Sequence, residues 1–215
     1  MNSMKKSVLI IAALFVSLCC YAQETKNISL PAPNMEGGMP LMEALKNRQT
    51  KREFSKEKLS DQKLSDLLWA AFGINRPESG KRTAPSAVNW QETDIYVSLE
   101  SGVYLYDAQK NMLKGIVEGD YRMGMGKQSF AGDAAAVLVF VADYSKMGAM
   151  ASKEDKDFYA AVDVGYISQN VYLFCSSENL ATVVLGMVDR EKIKKTLKLQ
   201  DNQKVFLTQC VGFPK

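Results

Sequence analysis

The stretch Asn47-Arg48-Gln49-Thr50-Lys51-Arg52-Glu53-Phe54 holds three cationic side chains, Arg48, Lys51 and Arg52, within five positions. Guanidinium groups with a hydroxyl between them suit anion binding, because a planar fork of N–H donors matches a carboxylate or a phosphate and keeps its charge at every accessible pH. Direction decides between a solvated basic face and a site. Arg48 follows Leu41, Ala44 and Leu45 at the i, i+3, i+4, i+7 spacing of one helix face, so it continues an inward stripe. If residues 50–54 are extended, Thr50, Arg52 and Phe54 share one side and leave Lys51 and Glu53 on the other, with the aromatic Phe54 marking the inner side. Arg48, Thr50 and Arg52 are then expected to converge on the interior, where an unpaired guanidinium is costly and an anion must meet it. Two partners satisfy that need equally: a buried carboxylate, with Asp133 and Asp163 as candidates, or the phosphate of a ligand.

Histidine is absent from the 215 residues, which removes the commonest general base, the commonest metal ligand and every Ser-His or Cys-His nucleophile. Of the four cysteines, Cys175 (YLFCSS) and Cys210 (LTQCVG) lie among apolar neighbours and are expected to be buried thiols, with no disulfide framework. No CxxC or HExxH spacing suggests a metal. Catalysis by this chain therefore calls for a cofactor.

Several elements are predicted to position the cluster. Residues 23–39 form an extended lead-in with Pro31, Pro33 and paired glycines, and residues 40–215 one domain. A short helix opens at Leu41; Ser60 caps a second, DQKLSDLLWAAF, with Leu64, Leu67, Leu68, Ala71 and Phe72 on one face and Gly73 at its exit. TDIYVSL and VYLYD make a hairpin, and AAAVLVFVAD is a central strand covered on both faces. FYAAVDVGYISQNVYLFCSSENL is a long helix, apolar nearly all round, which suggests a subunit interface; its Tyr166 and Tyr172 are assigned to packing. ATVVLGMV is a strand, DREKIKKTLKL a helix and KVFLTQCVGF a last strand, giving an α+β class with a central mixed, mainly antiparallel sheet flanked by helices. Residues 107–132, with Gly115, Gly119, Gly124 and Gly126, are expected to be variable loop.

At the N-terminus, Lys5 and Lys6 precede an apolar run that is too short to span a bilayer and ends before Ala22, so residues 1–22 are expected to be a cleaved signal peptide and the mature protein to be periplasmic. Lipid attachment at Cys19 or Cys20 is disfavoured by the bulky Leu18. The 27 Lys and Arg against 24 Asp and Glu include both leader lysines, so the mature chain is near neutral and has no electrostatic footprint for nucleic acid.

Three motifs in order resemble the nitroreductase family of FMN-dependent oxidoreductases: Arg48-Gln49-Thr50-Lys51-Arg52-Glu53-Phe54, then Pro85-Ser86-Ala87-Val88-Asn89-Trp90-Gln91, then Asp163-x-Gly165 leading through Gln169-Asn170 to Leu180-Ala181-Thr182-Val183-Val184-Leu185-Gly186. The stretch RTAPSA…DIYV…GVYLYD resembles the thiazoline/oxazoline-oxidase-like branch, although the Lys-Tyr pair of peptide-azoline oxidases has no match. The resemblance implies a homodimer with FMN at its interface. It puts Arg48, Gln49 and Thr50 at the phosphate and ribityl chain and Arg52 at the ring edge that gains charge on reduction. Pro85, Ser86, Ala87 and Asn89 would come from the partner subunit, and backbone N–H groups at Leu185 and Gly186 would face the ring. Trp90 and Glu92 depart from the family pattern, where small residues and proline are usual. The implied activity is a two-electron, ping-pong transfer to a small organic acceptor, with NAD(P)H a possible donor. The alternative is an exported, non-catalytic flavin- or small-molecule-binding protein of the same fold.

Overall fold

The computed structural model describes residues 25–215, so the leader expected over residues 1–22 lies outside the described part. In chain order the elements are β1 (Ile28–Ser29), α1 (Leu41–Asn47), α2 (Asp61–Phe72), β2 (Ile74–Arg76), β3 (Lys81–Arg82), β4 (Thr93–Leu99), β5 (Gly102–Asp107), β6 (Met112–Glu118), β7 (Ala136–Asp143), α3 (Lys153–Ser177), β8 (Ala181–Leu185), α4 (Arg190–Leu197) and β9 (Gln203–Gly212). Seven strands form one sheet in the order β1-β6-β5-β4-β7-β9-β8, and every pairing within it is antiparallel. Strands β2 and β3 make a separate small hairpin inside the loop that precedes β4.

Strand β7 lies inside the sheet between β4 and β9, and its apolar side chains run unbroken from Ala136 to Ala142, which only a doubly covered strand tolerates. Leu138 and Phe140 face α2 and α3, packing with Leu67, Leu68, Ile167 and Val171. Val137, Val139 and Val141 face the other way, against Met125, Ile193 and Leu197. Helix α2 starts where expected, with the Ser60 side chain accepting the Lys63 N–H at 3.1 Å, and ends at Gly73. Helix α3 is capped at Ser152 by a reciprocal box with Asp155 and runs for 25 residues. Its buried face is narrower than the sequence suggested, and Phe158, Tyr159 and Tyr166 stand exposed on the outer one. Cys175 and Cys210 are buried free thiols, as expected.

A buried polar chain ties α3 to the edge of the sheet. Ser168 donates to Gln209 at 2.9 Å, the Gln209 amide donates to Thr182 Oγ1 at 3.1 Å, and Thr182 donates to the Cys210 carbonyl at 2.8 Å. All three side chains are buried and satisfied, so they set register rather than merely adding contact.

One segment departs from expectation. Part of 107–132 is not loop: Met112–Glu118 is β6, reached by a turn in which Asp107 accepts the Gln109 and Lys110 N–H groups and Asn111 adopts a left-handed φ of 45°. Lys114 and Gly115 break the apolar alternation that would have revealed this strand. Gly115 is there because the lead-in crosses it: a Cβ would lie 2.0 Å from the Thr25 carbonyl oxygen.

Candidate functional site

Strand β8 is a sheet edge, paired only with β9, so alternate backbone groups along it must find partners elsewhere. The Thr182 carbonyl accepts the Lys51 N–H at 3.0 Å. The Val184 N–H donates to the Tyr172 hydroxyl at 3.1 Å, and that hydroxyl lies 3.1 Å from Thr50 Oγ1. Tyr172 is thus a junction between α3, the edge strand and the basic segment. It is one helical turn beyond Ser168, so the buried chain at Thr182 and the hydroxyl at Val184 fasten α3 to β8 at two successive outward positions. By the same alternation the amide of Gly186 also faces away from β9. Its carbonyl accepts from Arg190 at 3.4 Å, and its N–H meets no acceptor among the described residues.

Arg48 caps the C-terminus of α1, donating its backbone N–H to the Ala44 carbonyl, and its guanidinium lies 5.4 Å from the centroid of the Tyr172 ring. A cavity of about 440 Å³ opens here, lined by Lys46, Arg48, Gln49, Lys51, Tyr172, Ser176 and Thr182 among others. Among the described residues three cations and no carboxylate line it, a charge and donor set that suits an anion.

The expected pair of inward guanidiniums is corrected in part. Arg48 and Gln49 line the cavity and Thr50 joins it through Tyr172, but Arg52 is exposed and Lys51, expected on the outside, takes the lining position. The physical reason is that residues 50–54 are not one strand. The chain pairs with β8 at Lys51, then passes round the sheet edge, so that Phe54 meets Pro214 and enters the opposite core layer. Alternation does not survive that crossing. Helix α1 also buries only Ala44, while Leu41 and Leu45 of the expected inward stripe are exposed.

Neither candidate carboxylate meets these arginines. Asp133 pairs with Lys56 at 2.7 Å on the surface, and Asp163 accepts the Ala87 N–H at 2.9 Å. The internal ion-pair reading therefore falls, and Arg48 meets no carboxylate among the described residues.

Pro85, Ser86, Ala87 and Asn89 form a second group, apart from the first within one chain. Their loop is held at Asp163, nine residues before Tyr172 on α3, a separation of about 13 Å along the helix. Val88, Asn89 and Gln91 all adopt left-handed φ values, 52°, 58° and 50°. Ser86 Oγ accepts the Gln91 N–H at 3.0 Å, and Gln91 accepts from Arg82 at 2.7 Å and donates to Asn89 Oδ1 at 3.1 Å. Below the loop, burial pushes the Glu92 carboxyl up to about 7, with the Asp163 charge adding to the rise and the backbone and Thr93 opposing it. Burial likewise raises the Asp163 carboxyl, against its bonds to Ala87 and Glu92. Leu185 is buried, and only its neighbour Gly186 is open.

Sequence reasoning missed Tyr172, Lys51 and Lys46. The available signal for Tyr172 was its place on the buried register of α3 with Ile167, Val171 and Cys175, since a buried phenol needs a partner for its hydroxyl. Among the described residues no three His, Cys, Asp or Glu side chains gather as a metal site, and no helix is long and apolar enough to cross a membrane.

The Nitroreductase family profile matches residues 45–213. A nitroreductase homologue of Methanocaldococcus jannaschii is 31% identical over 189 residues, covering 83% of this chain and 92% of its own. Among solved structures, a nitroreductase homologue from Ralstonia eutropha superposes with a TM-score of 0.83 at 37% identity, over 88% of this chain and 90% of the other. The NADPH:FMN oxidoreductase of Vibrio harveyi, complexed with NAD+, superposes with a TM-score of 0.62 at 21% identity over 81% and 69%, a likeness of fold. With the basic segment, the loop on Asp163 and the β8 edge all inside the matched span, this chain belongs to the nitroreductase family.

Proposed function

We propose that this protein is an FMN-dependent oxidoreductase that acts as a homodimer on a small organic acceptor. The observation that carries the reading is the β8 edge: among the described residues, a cavity with Lys46, Arg48 and Lys51 and no carboxylate at one end, and the unpartnered Gly186 N–H at the other. Thr182 and Gly186 are four residues apart, about 13 Å along an extended chain, which suits an elongated ligand with an anionic tail and an acceptor-bearing ring. The donor set fits FMN on both counts. The family's NADPH:FMN oxidoreductase neighbour agrees with that choice.

Bound flavin supplies reversible two-electron chemistry, exchanged in two half-reactions with a donor such as NAD(P)H and with the acceptor, which a chain without histidine and with Cys175 and Cys210 buried needs. The chain's residues bind and orient. Arg48, with Lys46 and Lys51, holds the phosphate. Gln49 lies alongside, and Thr50, its hydroxyl fixed by Tyr172, faces the same cavity. The Gly186 amide presents a donor to the ring, in a position that Leu185, anchored in the core, holds still. Arg52, exposed and without a carboxylate partner among the described residues, is assigned to the ring edge that gains negative charge. Pro85, Ser86, Ala87 and Asn89, held at Asp163, are assigned to the other subunit's site, as the family resemblance implies. Exposed Leu41, Leu45, Phe158 and Tyr166 give the two copies an apolar surface to bury. The proposed location is outside the cytoplasm, after removal of residues 1–22.

Purified protein lacking residues 1–22 tests this directly, by its flavin content and by anaerobic addition of NADPH. Bound flavin that loses its visible absorbance supports a reductase using that donor. Bound flavin that keeps its colour with every nicotinamide and quinol donor supports the non-catalytic alternative. Failure to bind FMN at all refutes the reading.

A further inference from the structure

The loop at residues 85–91 has three non-glycine residues in left-handed conformations within four positions, which persists only where surrounding contacts impose it. Those contacts lead to two acids. Asp163 on α3 accepts the Ala87 N–H, and Glu92, the next residue after Gln91, is buried close enough for the Asp163 charge to act on it from the other end of the loop. Glu92 is 0% exposed and Asp163 2%. If both were ionised, Glu92 Oε2 would have no hydrogen-bond partner at all. Two neighbouring carboxylates in a buried site retain a proton between them, and that proton turns the orphaned acceptor into one side of a hydrogen bond.

We propose that Glu92 and Asp163 share a single proton and that this buried acid pair is the latch holding the 85–91 loop in its strained shape, which makes both of them positioning residues. Among the described residues neither acid forms a salt bridge. The charged and titratable groups on the elements around the loop include Tyr159 on α3, Asp94 on β4, Asp143 at the end of β7, Lys146 just after it, and Arg82 on β3. Lys146 is committed to Asp94 at 2.6 Å, and Arg82 to Gln91 and the Phe72 carbonyl. Removing the shared proton leaves two like charges that can separate only if the loop lifts, because the chain joins Glu92 to the loop and a hydrogen bond joins Asp163 to it. The latch thus closes at low pH and opens as pH rises. Its value to the cofactor rests on the functional reading above; the latch itself does not.

Trp90 reports on the loop because its ring lies 5.9 Å from Tyr159 in an edge-to-face contact, and Trp69 is the second of two tryptophans. In a Trp69→Phe background, Trp90 emission is followed from about pH 6 to about pH 9 without flavin. A single transition is expected in the parent and none in Glu92→Gln, whose amide donates permanently to Asp163. Asp163→Asn serves the same purpose if the first variant does not fold. No transition in the parent, or the same transition surviving in the variants, overturns the latch. FMN affinity is then measured over the same range, where the parent is expected to weaken by about tenfold more than Glu92→Gln, a comparison that cancels the ligand's own ionisation. A Trp90 transition without that difference upholds the latch and overturns the loop's assignment to the cofactor.

Discussion

Replacing Arg48 with Ala separates binding from folding. In the free protein the guanidinium lies over Tyr172 at 5.4 Å, makes no salt bridge among the described residues and is half-buried. Its loss costs folding about 0.5–1 kcal/mol of cation–π contact, which for a domain of this size is about 1–4 °C in Tm. Toward a phosphate the same group makes charge-assisted hydrogen bonds worth about 1.5–3 kcal/mol, so the Kd for FMN should rise about 10- to 150-fold. Lys46 and Lys51 remain at the cavity and keep the loss from being total. Titration of flavin fluorescence against the apo-protein measures the Kd, and thermal melts with FMN give a second reading. At a ligand concentration of about 100 times the parent Kd, the parent gains about 2.7 kcal/mol, while a variant binding tenfold more weakly gains only about 1.4 kcal/mol. Arg48→Lys should fall between the two, since it restores charge without the planar fork. A folded Arg48→Ala protein that binds FMN within about twofold of the parent refutes the assignment of this cavity to the phosphate.

Three further outcomes follow from the same geometry. Tyr172→Phe strips the Val184 N–H of its acceptor and Thr50 of its partner; it should lose about 1–3 kcal/mol of stability in urea unfolding and speed exchange of the Val184 amide, and an unchanged exchange rate would mean another group satisfies that amide. Arg52→Ala removes an exposed side chain and should leave apo stability within about 0.5 kcal/mol while slowing anaerobic flavin reduction; unchanged reduction kinetics remove Arg52 from the ring edge. Glu92→Gln should change the pH dependence of stability. Because the folded carboxyl is raised from 4.5 to about 7, the native state binds the extra proton between those values, and the parent loses on the order of 3 kcal/mol as pH climbs through that window, with no further change from this group above it. Unfolding in urea near pH 5 and pH 8 checks this, since the variant should lack that loss.

Much of the architecture was legible because it depends on local periodicity. Ser60 and Gly73 bound α2, the apolar run of β7 demanded two covering layers, and TDIYVSL and VYLYD formed the expected hairpin. Strand β6 escaped because Lys114 and Gly115 interrupt its pattern, and the cause of Gly115 is the lead-in that crosses it from 90 positions away. The basic segment was recognisable by residue type, but its side-chain directions were not, since they depend on where the chain turns round β8.

The sequence alone determined the α+β class, the order of the elements, the absence of histidine chemistry and the family motifs, all of which are carried by residue type and short-range spacing. Tertiary structure alone decided that Lys51 rather than Arg52 lines the cavity, that Tyr172 joins Thr50 to Val184, and that Glu92 and Asp163 meet beneath the loop. Those facts depend on which backbone groups a sheet edge leaves unpaired and on which acids two distant segments bring into one dry space. No window of neighbouring residues encodes either one, because each partner is supplied by a part of the chain that arrives only on folding.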